Sequence, residues 1–77
     1  MSIARSFPVV MIPQPEGGYF VQCPTLPGCF SQGETVEECL TNIREAIELT
    51  IEDLQANGQS IPVATGPAIV TEITFAA

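Results

Sequence analysis

The chain has 77 residues, 45% of them apolar and 14% charged, with nine acids against two bases, no histidine and a formal net charge of -7. That length holds one domain with a small core, burying roughly 60% of the surface its unfolded chain exposes, and the apolar content excludes disorder, in which low hydrophobicity accompanies high net charge. Arg5 and Arg44 are the only bases; they are too few to displace the phosphate counterions that nucleic-acid binding draws on, so the acidity points to a basic protein partner and away from direct nucleic-acid contact.

The opening MSIARSFPVV lacks the apolar centre of a secretory signal. No apolar run approaches the roughly 20 residues needed to cross a bilayer. The chain is therefore expected in the cytoplasm and not at a membrane. Cys23, Cys29 and Cys39 are odd in number, which fits reduced thiols in that compartment better than a disulfide framework.

In chain order, FPVVMI at Phe7 to Ile12 is a short apolar run of strand formers. Pro8 cannot donate to a ladder and belongs at the strand's start or on an unpaired side. PQPEGG, Pro13 to Gly18, supplies a turn, and YFVQC, Tyr19 to Cys23, returns as a second strand of a hairpin. CFSQ, Cys29 to Gln32, is long enough for a third strand, which Gly33 ends.

Between the second and third strands lies CPTLPGC, two cysteines separated by two prolines, a glycine and a leucine. A metal knuckle, a redox loop and a shaped turn are the three readings. Zinc sites use cysteine and histidine in spacings such as C-x2-C with a second matching pair; here the cysteines read C-x5-C-x9-C, with no histidine and no evident fourth ligand. The redox motif C-x-x-C is missing too. A turn shaped by Pro24, Pro27 and Gly28 is the expected role, with Cys39 a small core residue.

From Thr35 the apolar period changes. Val36, Leu40, Ile43, Ile47, Ile51 and Leu54 recur at spacings of three and four, one stripe of a helix. Thr35 and Glu38 form a T-x-x-E capping box, and Asn57-Gly58 a left-handed stop with Pro62 beyond it, so the helix is predicted over Val36 to Ala56. Its outer face carries Glu37, Glu38, Glu45, Glu48, Glu52 and Asp53, and among them Leu49 points away from the stripe. An exposed leucine is ordinary; beside acids it is also a natural contact for a partner. Glu45, Leu49 and Glu52 are thus one candidate interface, and the sheet face that a single helix leaves uncovered is the other.

QSIPVATGPA, Gln59 to Ala68, connects to IVTEITF, Ile69 to Phe75, whose alternation places Ile69, Thr71, Ile73 and Phe75 on one side and predicts a fourth, half-buried strand. The expected architecture is α+β, in the order β-β-β-α-β, an antiparallel sheet with one long helix on one face. Short unpaired sheet edges invite association by strand addition, and a homo-oligomer, dimer or tetramer, is expected.

Catalysis has little to work with. The serines and threonines have no histidine or lysine to activate them. Most acids lie on the solvated side of a helix and do not converge in a cleft. Neither a cofactor nor a metal is expected.

The stretch EGGYFVQCPTLPGCFSQGETVEECLTNIREAIELTIEDL, Glu16 to Leu54, with Gly58, Ile61 and Pro62 after it, resembles the HicB-like antitoxins of bacterial toxin-antitoxin modules. That family's pattern is a G-G-Y strand, a P-x-L-P-G-C loop, a G-x-T helix start, a helix with an asparagine and an E-A pair, and a closing G-x-x-I-P. Gly18, Tyr19, Pro24, Leu26, Pro27, Gly28, Gly33, Thr35, Glu38, Asn42, Glu45, Ala46 and Pro62 match it. Cys39 stands where the family usually has alanine. The resemblance implies a degraded RNase H-like fold without nuclease activity, and the first strand accordingly carries no acid to hold magnesium. It also implies a small basic HicA-type toxin, an mRNA-cleaving ribonuclease, as the protein that is bound and blocked. Longer members continue into a C-terminal DNA-binding domain, whereas residues 1–77 are expected to form a single HicB-like domain without one. The alternative function is a solitary structural or regulatory homo-oligomer with no toxin partner.

Overall fold

The computed structural model describes residues 5–76. Its elements are β1 (Val10–Pro13), β2 (Tyr19–Gln22), β3 (Phe30–Gly33) and α1 (Val36–Ala56). The three strands form one antiparallel sheet in the order β1-β2-β3, and α1 lies across β2 and β3. The α+β arrangement expected from the sequence is present.

Register decides what each face carries. Met11, Val21 and Ser31 stand opposite one another across the sheet, as do Pro13, Tyr19 and Gly33. Directly opposed residues share a face, and Val21, fully buried, marks this one as the side under the helix. The core there is Val21, Cys23, Leu26, Cys29, Cys39 and Ile43. The other face carries Val10, Gln22 and Phe30 in one row and Ile12, Phe20 and Gln32 in the next.

The helix begins and ends where its capping residues place it. The Thr35 side chain accepts the backbone N–H of Glu38 at 3.0 Å, and a Glu38 carboxylate oxygen accepts the N–H of Glu34 at 3.3 Å, one residue before the partner that the usual capping box takes. At the other end Gly58, with φ of 67°, donates to the carbonyl of Gln55 and Gln59 donates to that of Leu54, the paired bonds of a Schellman stop.

Two expectations are corrected. The helix buries a line centred on Cys39 and Ile43, while Val36 and Leu40, the first two residues of the predicted stripe, are about half exposed, Leu40 at 48%. The helix packs on β3 and β2, and Leu40 stands on the flank that faces Phe7 and Val9 across an open groove. The fourth strand, predicted over Ile69 to Phe75, does not form: the segment has no ladder partner among the described residues, and Ile69, Ile73 and Phe75 are 90%, 79% and 82% exposed. The connector carries Val63 to Pro67 alongside residues 5–8, and Ile69 to Phe75 beyond it stay exposed. Alternation alone does not make a strand when no edge lies within reach.

Candidate functional site

The CPTLPGC loop is a shaped turn. Cys23 N–H donates to the carbonyl of Cys29 at 2.9 Å, closing the ladder, while Leu26 N–H bonds back to Cys23 and Cys29 N–H to Leu26. Those turns aim the Leu26 side chain into the core, where it is fully buried. Gly28 takes φ of 79°, which a side chain would disfavour, and Pro24 and Pro27 stand exposed on the outside. All three cysteines are free thiols and buried. Burial pushes the Cys23 thiol above its ordinary value, the Leu26 N–H pulls it part of the way back, and neighbouring Cys29 adds to the rise. A buried neutral thiol is a poor nucleophile and a poor ligand. Among the described residues no group of three or more metal-binding side chains comes together.

Gly33 matters through space. A Cβ there would lie 2.9 Å from the backbone nitrogen and 3.0 Å from the sulfur of Cys39. Its absence lets the first turn of α1 settle on the end of β3. Cys39 Sγ in turn lies 3.6 Å from the Tyr19 carbonyl and 3.7 Å from that of Gly33. Asn42 completes the junction by donating its side-chain N–H to the Gln32 carbonyl at 2.7 Å. These residues hold the helix at a set height on the sheet and leave its outer side to solvent.

That outer side is the first candidate surface. Glu45, Glu48, Glu52 and Asp53 are exposed, and Leu49 among them is 65% exposed. It is an apolar knob in an acidic field, since residues three and four apart on a helix are neighbours. Glu16, Glu34 and Glu38 extend the negative surface around a shallow polar groove between the β1–β2 turn and the start of α1.

The uncovered sheet face is the second. It is apolar over much of its area: Phe20 and Phe30 lie diagonally with ring centroids 5.7 Å apart, with Ile12 and Val10 beside them. The sequence names this face only as the one a single helix leaves uncovered, and the Phe20–Phe30 pair is what that reading lacks. Its trace in the sequence is the alternation at Phe30-Ser31-Gln32, but Tyr19-Phe20-Val21 is apolar throughout and conceals which residue faces out.

Residues 7–73 match the family model described as HicB-like antitoxin of bacterial toxin-antitoxin system. The chain is similar to the UPF0150 protein ssr1765 of Synechocystis, 49% identical over 57 residues, which cover 74% of this chain and 72% of that protein. It is similar also to the UPF0150 protein Ta0767 of Thermoplasma acidophilum, 45% identical over 73% of this chain and 81% of the other. A UPF0150 protein of Helicobacter pylori is 53% identical over 61% of this chain and 65% of its own length. The matched span takes in the shaped loop, the cap, the Asn42 junction and the acidic helix face.

Proposed function

Because the chain belongs to the HicB-like antitoxin family of bacterial toxin-antitoxin systems, we propose that it is a non-enzymatic cytoplasmic antitoxin that binds and blocks a small basic HicA-type mRNA-cleaving toxin. The observation that carries this reading is the outer face of α1, where Glu45, Glu48, Glu52 and Asp53 surround an exposed Leu49 on a chain of net charge -7. Opposite charge speeds encounter with a basic partner, and an apolar contact inside the charged ring excludes water from the pairs around it. An acidic cover also competes with RNA for a toxin's phosphate-binding surface, since both present negative charge to the same cations. Three antiparallel strands followed by one helix support a reduced RNase H-like fold, and β1, VMIP, offers no carboxylate to a magnesium ion.

The test is co-expression of residues 1–77 with a HicA-type protein encoded beside it, followed by pull-down and an mRNA-cleavage assay. The pair is expected to co-purify at low salt and cleavage to be suppressed. Glu45→Lys with Glu52→Lys should weaken binding at least tenfold and restore cleavage. Failure to associate at low salt, or full inhibition by the double variant, overturns the assignment of this face.

A second reading, a homo-oligomeric structural or regulatory domain without a toxin, draws on the apolar sheet face of Val10, Ile12, Phe20 and Phe30. An exposed apolar face on a small domain marks a site of association.

A further inference from the structure

Two unsatisfied surfaces of this chain are complementary. One is the tail from Ile69 to Phe75, unpaired among the described residues, with Ile69, Ile73 and Phe75 on one side of the alternation and each at least 79% exposed. The other is an open groove beside the entry to β1, walled by Phe7, Val9, Leu40, Ile43 and Ile47. Among the described residues β1 is an edge strand, so the groove adjoins a row of backbone groups open to pairing. Seven residues of strand span about 23 Å, enough to cover β1 together with the residues that lead into it.

The tail does not lie in this groove in its own chain. Val63 to Pro67 pass residues 5–8 at a neighbouring hollow, and the tail after them stays exposed. The radius of gyration is 14.5 Å and the long axis 49 Å against 26 and 20 Å for the others, whereas a folded chain of this length has about 11.5 Å. Pro62 and Pro67 stiffen the connector in an extended form. Charge adds a separate argument. Two copies of a chain with net charge -7 repel, but its only two bases, Arg5 and Arg44, both line this groove. Glu48 is the one acid among the lining residues, so the groove carries a net positive charge and a second acidic copy approaches it at reduced cost.

We propose that the chain is a reciprocal strand-exchanged dimer, in which Ile69 to Phe75 of each copy adds to the β1 edge of the other and seats Ile69, Ile73 and Phe75 in the groove beside α1. Exchange of identical elements is a low-cost route to a two-fold assembly, because the same contact is made twice. Leu40 is covered in that dimer, and the fourth strand predicted from the alternation is realised across the two-fold.

The test uses residues 1–77 without any toxin, so its outcome is independent of the antitoxin assignment. Light scattering across a concentration series should give twice the chain mass. Ile73→Asp, in a tail that makes no contact needed by its own fold, should weaken dimerisation at least a hundredfold with unchanged helical circular dichroism, and Leu40→Glu on the groove wall should do the same from the other side. Mixing Val9→Cys chains with Ile73→Cys chains should yield a covalent heterodimer on mild oxidation that neither forms alone. A monomer at every concentration overturns the proposal. So does a dimer indifferent to both substitutions. An intramolecular disulfide in the Val9→Cys, Ile73→Cys double variant, without covalent dimer, would show the tail returning to its own sheet and overturns it as well.

Discussion

Gly33 shows how much of this architecture hangs on one missing side chain. Its α-carbon sits where α1 descends onto β3, and an added Cβ meets the Cys39 backbone nitrogen at 2.9 Å, a group that cannot rotate aside. Gly33→Ala is therefore expected to lower stability by about 1–3 kcal/mol, the usual range for overpacking, measured as a shift in urea midpoint at constant slope. The sequence marks this glycine as a strand terminator, a correct position with an incomplete reason. What the local pattern misses is that the residue above it comes from six positions later. The capping pair was legible, because Thr35 and Glu38 act within four residues of each other, and so was the role of Pro24, Pro27 and Gly28, whose constraints are local. Asn42 was visible as a family position, but its bond to Gln32 needs the helix already placed on the sheet.

At the scale of the element, α1 divides into a buried line and an exposed acidic side, and substitutions should divide in the same way. Ile43 is buried in the core and Leu49 is 65% exposed. Ile43→Ala is expected to cost about 2–5 kcal/mol through lost burial and the cavity left behind, whereas Leu49→Ala should stay within about 0.5 kcal/mol when unfolding is followed by circular dichroism. If Leu49 is a partner contact, its loss appears in toxin binding and not in that melt. Helix length and ends were read correctly from the sequence, since periodicity and caps are written in one stretch of chain. The rotation of the buried line was not, because Val36 and Leu40 satisfy the helical period equally well; only the way α1 packs on β2 and β3 leaves them half exposed.

For the whole molecule, net charge is the dominant feature. Nine acids and two bases make the folded state repel itself, and screening reduces that repulsion within a Debye length of about 10 Å at 0.1 M salt. Raising sodium chloride from about 0.02 to 0.5 M, a range across which the Debye length shrinks severalfold, is expected to raise the thermal midpoint of the isolated chain. The same salt should weaken the proposed complex with a basic toxin. A midpoint that falls with salt would mean that attractive pairs outweigh the net charge.

Local chemistry determined the strands up to β3, the shaped loop, both helix caps and the acidic outer face, because each depends on residues close in sequence whose backbone preferences and periodicity agree. The family pattern lies in those same segments, which is why it could be read alongside them. Tertiary structure alone decided which sheet face is apolar, which flank of α1 stays open beside β1, and that Ile69 to Phe75 finds no partner edge among the described residues. Alternation specifies a strand's two faces, but pairing needs a free edge within reach of the connector, and that is a property of the assembled sheet.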